Sequence, residues 1–421
     1  MATNIQKPRG TMDILPEKVA AWQYIEKTAR EISAKYGFGE IRFPTFENID
    51  LFQRGVGDTT DVVQKEMYAL EQKGNGEARY ALRPEGTACI VRSLIENGKC
   101  SDAMPQKFCY IINCFRYEKP QAGRFREFFQ YGVEMFGADS PLADANVIAL
   151  AHEVISTLGI KGVNLHINSI GCKECRPKYH AALKEYFYAH RDALCDTCRE
   201  RLEKNPLRIL DCKSPICAKI ADGAPKTIDH LCEGCATHME TLTKALDTLS
   251  VPYVVDPRVV RGLDYYTKTV FEFIAPITGA AQSTICGGGR YDGLVKELGG
   301  PALSGIGFAA GINRLIDAME KSGVNIENTA HPLLYIASMG DAAALKAFEI
   351  VTRVRAKGAW AESDIVGRSL KAQMKYADKI GARYTLILGD NELAAGAAQL
   401  KNMETGEQTA VDLDTFTIEA E

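Results

Sequence analysis

Two neighbouring runs of alternating apolar and polar residues, 108–118 and 127–137, constrain the fold of this chain more than any other feature. Alternation with a period of two is typical of a strand that is buried on one face. A short charged loop containing Pro120 and Gly123 joins the runs, and short loops connect antiparallel strands. The sequence therefore predicts an antiparallel hairpin within an α+β core that is built on an antiparallel sheet.

The polar face of this hairpin has two interpretations. Alternation places Gln130 and Glu134 on one face of the second strand, and Arg116 and Glu118 on one face of the first. On an arbitrary hairpin such a face is solvated and carries incidental ion pairs. The same residues would also form a concave patch with one guanidinium, two carboxylates and an amide, which suits a zwitterionic ligand beside a phosphate.

Other patterns divide the rest of the chain. An amphipathic helix is predicted from Pro16 to Tyr36, a strand-rich region over 251–307, and a helix from Ala309 to Lys321. Strands and helices then alternate at 333–337, 342–356, 359–361, 369–380 and 384–388, as in a small α/β unit. We therefore predict a first domain at 1–325, a linker at 326–331 and a second domain at 332–421.

Eight of the thirteen cysteines cluster in the middle of the chain, which predicts a separate, helical module inserted at about 171–250. Three CxxC pairs have the spacing that tetrahedral zinc sites use, and a reducing cytosol disfavours disulfides. The alternative is a set of buried or exposed thiols without a metal. Eight thiols allow too many quartets for ligands to be assigned, so all are candidates: Cys172, Cys175, Cys195, Cys198, Cys212, Cys217, Cys232 and Cys235.

The composition is that of a soluble globular chain, with 46% hydrophobic and 25% charged residues. No apolar run approaches the roughly 18 residues that a membrane span needs, and the first ten residues lack the pattern of a secretion signal or transit peptide. We therefore expect a cytoplasmic protein without a membrane partner. The net charge is −4, so a polyanionic partner would have to bind local basic patches.

Two glycine-rich segments could be mistaken for nucleotide-binding loops. The spacing of Gly305, Gly307 and Ala310 fits a relaxed dinucleotide fingerprint, but no acidic ribose partner follows about 20 residues later in a second strand, so we reject a nicotinamide site. The triple glycine 287–289 is not followed by the lysine of a phosphate-binding loop. We expect it to permit close approach of the backbone to a substrate.

Six segments together carry a resemblance: 41–47, 82–87, 116–128, 261–273, 286–293 and 305–315. With them the sequence resembles the histidyl-tRNA synthetases, a family of class II aminoacyl-tRNA synthetases, over essentially its whole length. Residues 41–47 resemble the first class II motif, the arginine hairpin the second, and 307–315 the third. The run RGLDYYTKTVFEF at 261–273 is the most specific to the family.

The resemblance implies a ligase that activates histidine with ATP to histidyl adenylate and then transfers it to the 3′ end of tRNA(His). It assigns Arg116 and Arg261 to catalysis on either side of the α-phosphate, where fixed cations offset the developing charge. ATP would contact Arg116, Glu118, Arg124 and Arg314, with Mg²⁺ on its phosphates. In the third motif Asn313 stands where many relatives have glutamate, which leaves its role open.

The resemblance also implies where histidine binds. The ammonium group would lie near Glu85, Gly86, Thr87 and Gln130, and the imidazole near Glu134, Tyr265 and Tyr266. A carboxylate and a phenol can bind both ring nitrogens, and such a site rejects side chains that leave these groups unpaired. Tyr265 has a core tyrosine as its alternative, because adjacent strand residues point in opposite directions.

For tRNA, the resemblance places Gln121 and Arg126 near the acceptor end, and it implies a C-terminal anticodon-binding domain. Lys371, Lys375 and Lys379 form a basic stripe at four-residue steps on a predicted helix of that domain. Such a stripe is either a solvated helix face or a phosphate-binding surface. The family further implies a homodimer, and any zinc in the cysteine module would be structural, because many relatives lack these cysteines.

Two rival functions remain. One is a synthetase-like regulatory subunit that senses histidine for a phosphoribosyltransferase; such relatives lack the anticodon domain, so residues 332–421 favour the ligase. The other is a class II synthetase for threonine, proline or glycine. Glu134 and residues 261–266 disfavour it.

Overall fold

The computed structural model describes residues 4–57, 60, 62–71, 79–121, 123–210, 212, 214–260, 265–276, 283–326 and 330–419. Within these ranges the chain forms two compact units, residues 4–326 and residues 330–419. Arg261, one of the two predicted catalytic residues, lies outside the described residues.

The first unit is built on a mixed sheet of eight strands. Strands in the described part of this unit are β1 (Gly39–Glu40), β2 (Phe46–Asn48), β3 (Ala69–Leu70), β4 (Tyr80–Leu82), β5 (Gln106–Phe115), β6 (Glu127–Phe136), β7 (Asn164–Ser169), β8 (Tyr253–Val255), β9 (Thr267–Ile274), β10 (Thr284–Arg290) and β11 (Gly305–Gly311). The large sheet has the order β1-β5-β6-β11-β10-β9-β7-β8, and β2-β4-β3 form a small antiparallel sheet. In the large sheet the inner strand pairs are antiparallel, and the two edge pairs, β1 with β5 and β7 with β8, are parallel. The prediction of an α+β core with an antiparallel sheet is confirmed except at these edges.

The predicted hairpin is β5 and β6, which pair antiparallel with Ile112 opposite Gln130. Its first strand is shorter than predicted and ends at Phe115. The N–H of Arg116 still bonds the carbonyl of Arg126, but the next N–H, that of Tyr117, bonds Glu66 instead. The chain therefore leaves the hairpin before Glu118.

Helices pack on both faces of the large sheet. The α-helices in the described part of this unit are α1 (Pro16–Lys35), α2 (Ile49–Val56), α3 (Thr87–Glu96), α4 (Pro141–Thr157), α5 (Cys175–Ala189), α6 (Asp196–Lys204), α7 (Pro215–Ala221), α8 (Glu233–Thr248), α9 (Leu294–Glu297) and α10 (Ile312–Lys321). Shorter turns are a π-helix at Val62–Glu66 and 3₁₀-helices at Lys99–Ser101, Arg191–Ala193, Pro206–Ile209 and Thr227–His230. α1 has the predicted bounds to within one residue, and its apolar stripe packs with α4 and α10 against Tyr131, Val133 and Met135 of β6. This packing leaves the opposite face of β6, which carries Gln130 and Glu134, for another use.

The helix predicted to begin at Ala309 begins at Ile312, so that prediction is wrong at its start. Residues Gly305–Gly311 form β11, which lies between β6 and β10. A Cβ atom at Gly307 would overlap the Glu134 carboxylate, so glycine is needed for the close pairing of these strands. Because these glycines lie inside a buried strand, the rejection of a dinucleotide loop agrees with the structure.

The triple glycine lies inside β10. Gly287 lines the cavity described below. At Gly288 a Cβ atom would overlap the carbonyl of Gly307, and at Gly289 it would lie 2.6 Å from that of Thr269. The expectation of close approach to a substrate is therefore wrong for Gly288 and Gly289. The absence of a side chain at these two positions instead permits the close contact of β10 with its neighbouring strands.

The cysteine-bearing insertion is helical, as predicted. α5, α6, α7 and the intervening 3₁₀-helices lie between β7 and α8 and share a small apolar core that includes Tyr179, Leu183 and Phe187. α8 returns the chain to the large sheet, where His238 bonds Asp144 of α4 at 2.7 Å.

The second unit is an α/β sandwich with a five-stranded sheet. Its described elements are β12 (Leu334–Ser338), α11 (Asp341–Ala356), β13 (Ala361–Ser363), α12 (Leu370–Lys379), β14 (Tyr384–Leu388), α13 (Asp390–Ala395), β15 (Ala397–Asn402) and β16 (Gln408–Asp412). β13, β12 and β14 are parallel, and β15 and β16 add an antiparallel hairpin. The parallel strands and two helices match the predicted alternation; α13 and the final hairpin were not predicted. Of the helices that the structure describes, none has the length and apolar character of a membrane span.

Candidate active site

A cavity of about 590 Å³ lies on the face of the large sheet that α1, α4 and α10 leave uncovered. Its volume is in the range of small-molecule and cofactor sites. The predicted histidine-binding residues line it, as do all four predicted ATP-binding residues: Glu85, Gly86, Thr87, Arg116, Glu118, Arg124, Gln130, Glu134, Tyr265, Tyr266 and Arg314. The hairpin face is thus the wall of a cavity, and its interpretation as a solvated surface is wrong.

Glu134 is the most deeply buried acid of the cavity, with 1% of its surface exposed. Its carboxylate accepts hydrogen bonds from Thr87 Oγ1 at 2.7 Å, from the Tyr110 hydroxyl at 3.4 Å and from the Tyr291 hydroxyl. Burial raises the pKa of Glu134 to about 8; the hydroxyls of Tyr291 and Thr87 oppose this rise, and the charge of Glu85 adds to it. Glu134 can therefore exchange a proton near neutral pH.

Glu85 is held at the start of α3. Its carboxylate accepts hydrogen bonds from the backbone N–H groups of Thr87 at 2.7 Å and Ala88 at 2.9 Å, where the helix dipole favours a negative charge. Burial raises the pKa of Glu85, and these N–H groups, together with the nearby Arg116, oppose part of the rise. A second carboxylate thus faces the cavity in a fixed orientation.

Arg116 is oriented by two contacts. Its Nε donates to the carbonyl of Pro84 at 2.9 Å, and its guanidinium lies 5.3 Å from the centre of the Phe128 ring. Beside it, Arg124 Nη1 lies 3.0 Å from Glu118 Oε2. The hairpin therefore brings two guanidinium groups and one carboxylate to the same wall of the cavity.

The third predicted motif lies where β11 leads into α10. Arg314 lines the cavity, and its Nη1 donates to the carbonyl of Thr284 at 2.7 Å. The neighbouring Asn313 is buried, and its side-chain oxygen accepts a hydrogen bond from the N–H of Phe129 at 3.2 Å. Asn313 thus ties the start of α10 to β6, a positional role that the sequence left open.

Tyr265 and Tyr266 both line the cavity although they are adjacent in sequence. Their rings lie 4.7 Å apart, and Tyr265 also packs edge-on against Tyr291 at 5.6 Å. They precede β9, which begins at Thr267, so the alternation of a strand does not separate them. Tyr265 is therefore both buried and at the cavity.

Two tyrosines at the centre of the site were not predicted. Tyr110 shares a face of β5 with Ile112 and Cys114, so the alternation rule that selected Arg116 could have included it. Tyr291 directly follows β10 in the segment 286–293, which contributes to the family resemblance without assigning a role to this tyrosine. Sequence gave no indication that either hydroxyl meets Glu134.

Other predicted residues do not line this cavity. Arg126 donates from Nε to the carbonyl of Glu118 and stacks 4.0 Å from the Tyr117 ring, while Gln121 bridges to Arg124 in the hairpin loop. Lys371, Lys375 and Lys379 are exposed along α12 of the second unit. The eight cysteines of the insertion form two groups of four that could each bind a metal ion.

Buried acids and hydroxyl groups line the cavity together with several arginines. The buried acids can bind an ammonium group and a second cationic or hydrogen-bonding group, while the arginines can bind phosphates in a bidentate manner. This combination suits reaction of a small amino compound with a nucleoside triphosphate.

Known proteins are similar to this chain in sequence and architecture. The family model described as histidyl-tRNA synthetase matches residues 10–175 and 213–315, and that described as anticodon binding domain matches residues 334–418. The histidine–tRNA ligase of Caldicellulosiruptor bescii is 50% identical over 98% of this chain and 97% of its own length. That of Acetivibrio thermocellus is 51% identical over 98% of each chain. The crystal structure of apo S. aureus histidyl-tRNA synthetase is 38% identical and superposes with a TM-score of 0.82 over 98% of both chains.

The matched segments contain Glu85, Arg116, Glu134 and Arg314, and the match extends over both units. The similarity therefore covers both the walls of the cavity and the α/β unit that follows it. This chain belongs to the histidyl-tRNA synthetase family of class II aminoacyl-tRNA synthetases.

Proposed function

We propose that the chain activates histidine with ATP and transfers the histidyl group to the 3′ end of tRNA(His). The first step joins the histidine carboxylate to the α-phosphate and releases pyrophosphate; in the second, a terminal ribose hydroxyl of the tRNA displaces AMP. The observation that carries this proposal is the convergence of Glu134, Glu85 and Arg116 on one cavity. Two carboxylates that can bind an amino acid with a basic side chain therefore lie beside a guanidinium group that can bind phosphate.

In this proposal histidine binds beside the buried acids. Glu85, Thr87 and Gln130 hold the ammonium group, with Gly86 leaving room at the start of α3, where a Cβ atom would lie 2.7 Å from the Tyr110 ring. Glu134, Tyr265 and Tyr266 bind the imidazole ring. Because Glu134 has a pKa of about 8, it and a neutral imidazole share one proton at neutral pH.

ATP binds beside the arginines. Arg116 and Arg261 neutralise the α-phosphate from two sides, and Arg124 and Arg314 contact the remaining phosphates or the adenine. Glu118 lies beside these arginines, with its Oε2 3.0 Å from Arg124 Nη1. Mg²⁺, which uses few protein carboxylates when it binds a nucleotide, would neutralise charge on the phosphates.

The tRNA contacts extend beyond the cavity. Gln121 and Arg126, in the hairpin loop, contact the 5′ guanylate of the acceptor end, and Lys371, Lys375 and Lys379 contact anticodon-stem phosphates from the second unit. We further propose a cytoplasmic homodimer, with residues 1–325 as the catalytic domain and 332–421 as the anticodon-binding domain. A structural metal in the cysteine-bearing insertion would be zinc, because thiolate quartets favour it.

A panel of amino acids in an ATP–pyrophosphate exchange assay tests this function. We expect exchange with histidine and only background with threonine, proline or glycine, because those side chains leave Glu134 and the surrounding hydroxyls unpaired. We also expect the protein to charge tRNA(His) transcripts with histidine. This result would distinguish a ligase from a subunit that only senses histidine. Absence of histidine-dependent exchange in folded protein would refute the proposal.

Tyr291→Phe tests the unpredicted hydroxyl. Removing the bond that Tyr291 donates to Glu134 should raise the KM for histidine about tenfold, the value of one hydrogen bond to a charged group. It should also raise the pKa of Glu134 further, because that bond opposes the effect of burial. The measurement is the KM in the exchange assay as a function of pH.

Tyr131→Phe is the matched control for this prediction. Its hydroxyl bonds Ser33 at 2.7 Å on the opposite, helix-covered side of β6. An equal rise of KM in both variants would show that loss of a buried hydroxyl, and not of the contact with Glu134, causes the effect.

A further inference from the structure

The eight cysteines of the insertion separate into two quartets that do not follow their order in the sequence. The inner quartet contains Cys172, Cys175, Cys232 and Cys235, and the outer quartet contains Cys195, Cys198, Cys212 and Cys217. Within each, the four Sγ atoms lie within 4.8 Å of one another. The fold thus joins the first CxxC pair to the third, across 60 residues, and leaves the second pair for the outer quartet.

The distances between sulfur atoms fit a single ion in each quartet. A tetrahedral zinc with bonds of about 2.3 Å separates its sulfurs by about 3.8 Å. The Sγ–Sγ distances are 3.7 Å for Cys172–Cys175, 3.8 Å for Cys172–Cys232 and 3.9 Å for Cys195–Cys212. A disulfide would need a far shorter distance, and a cluster of several irons would need to fit between more widely spaced sulfurs. The cysteines are free of disulfides.

Helix starts and backbone N–H groups surround the sulfurs. Cys195 and Cys232 immediately precede α6 and α8, and Cys175 is the first residue of α5. The N-terminus of a helix is a favourable place for an anionic set of metal ligands. Backbone N–H groups also point at the sulfurs: that of Cys232 lies 3.0 Å from Cys175 Sγ, and that of Cys195 lies 3.3 Å from Cys217 Sγ. Such N–H groups stabilise the charge of a metal–thiolate site.

The insertion has a small apolar core. Among the residues that the structure describes, this core contains nine buried residues, and two of them are the cysteines Cys198 and Cys217. Modules of this size with so few buried residues are usually stabilised by disulfides or a metal.

From these observations we propose that the insertion binds two zinc ions independently, one in each quartet, and that the inner ion positions Tyr266 in the cavity. The outer ion cross-links the insertion internally. The inner ion fastens the two places where the insertion joins the sheet, since its ligands lie just before or within the first turn of α5 on one side and of α8 on the other.

Contacts beside the inner quartet connect it to the cavity. Arg176, the residue after Cys175, donates from its guanidinium to the carbonyl of Tyr266. Gly171, the residue before Cys172, accepts a hydrogen bond at 2.9 Å from the N–H of Lys268, two residues after Tyr266. Release of the inner ion would free the start of α5 and with it the backbone that orients Tyr266.

Metal content tests the two sites without reference to activity. Protein purified under reducing conditions without added metal should contain two zinc ions per chain by mass spectrometry of the metal. Cys195→Ser and Cys232→Ser should each retain one, and the double variant none. Titration of the unmodified chain with an organic mercurial should release one zinc per four thiols, so the proposal does not depend on variants that fold. A zinc content near zero, iron in place of zinc, or loss of both ions in either single variant would overturn it.

The positioning role rests on the proposed ligase function, and exchange kinetics test it. Cys232→Ser should raise the KM for histidine about tenfold, the loss of about one well-placed hydrogen bond, with a smaller change in kcat. Cys232→His should restore both zinc and KM, because three cysteines and one histidine also bind zinc. Cys195→Ser should raise KM less than Cys232→Ser, and Lys204→Ala, an exposed residue of the same insertion, controls for changes on its surface.

Two results separate the possible failures. Equal KM values in Cys232→Ser and Cys195→Ser, or no rescue by a zinc-bound Cys232→His, would refute the positioning role. An unmodified chain that binds two zinc ions but shows no histidine-dependent exchange would refute the ligase function and leave the metal sites standing.

Discussion

Replacement of Arg116 by alanine is expected to lower histidine-dependent ATP–pyrophosphate exchange by about 100- to 1000-fold, the usual cost of removing one preorganised donor to a developing charge. Arg116 is preorganised by its bond to the carbonyl of Pro84 and by the Phe128 ring. Its guanidinium therefore needs little rearrangement when charge builds on the α-phosphate. The loss should appear in kcat more than in the KM for histidine.

Arg116→Lys separates charge from geometry, because lysine keeps the cation but cannot form the planar fork that binds two phosphate oxygens. Arg199→Ala, which removes an ion-paired arginine of α6, should leave exchange unchanged. Arg261→Ala should lose activity to a similar extent if Arg261 acts on the other side of the phosphate. Full exchange activity in folded Arg116→Ala would remove Arg116 from the mechanism.

Replacement of Glu134 by glutamine is expected to have the second large effect, a rise of about 100-fold in the KM for histidine. The amide cannot take up charge when imidazole binds, and a hydrogen bond to a charged group contributes about 1.5–3 kcal/mol. Isothermal titration with histidine, in addition to exchange kinetics, measures the loss. Glu240→Gln, an exposed glutamate paired with Lys244, is the control and should bind histidine normally.

The same substitution should stabilise the unliganded protein at alkaline pH. The pKa of Glu134 rises from an ordinary value of 4.5 to about 8 on folding, so the folded state binds its proton more tightly than the unfolded state. The contribution of the Glu134 carboxyl to the free energy of unfolding is fully present below pH 4.5 and is lost as the pH rises through about 8. At pH 9 Glu134→Gln should therefore exceed the unmodified chain in free energy of unfolding by an amount of the order of a few kcal/mol.

Denaturant unfolding at pH 5 and pH 9 measures this difference. The two proteins should be similar at pH 5 and diverge at pH 9. A difference that does not depend on pH would show that packing of the amide, and not the ionisation of Glu134, is responsible. If Glu134→Gln is more stable than the unmodified chain at pH 9 but binds histidine more weakly, then the buried carboxylate of Glu134 lowers the free energy of unfolding while it serves binding.

Local patterns were sufficient for much of the fold. The alternation in the hairpin, the stripe of α1 and the strand at Tyr384–Leu388 were each predicted closely, because each pattern reflects which side of one element is buried. The predicted start of α10 was wrong. The spacing of the glycines and alanines before it fits a helix, but these residues form β11, between β6 and β10. Small residues there permit strand contacts that no local pattern reports.

By itself the sequence determined the faces of single elements and the chemistry that they carry: the arginine and the acids of the hairpin, the basic stripe of α12 and the thiols of the insertion. The tertiary structure alone decided which of these groups meet. It brought the hydroxyls of Tyr110, on β5, and Tyr291, directly after β10, to Glu134 on β6, and it divided eight thiols into two quartets. The physical reason is that periodicity records whether a side chain is buried, whereas strand order and register decide what it is buried against.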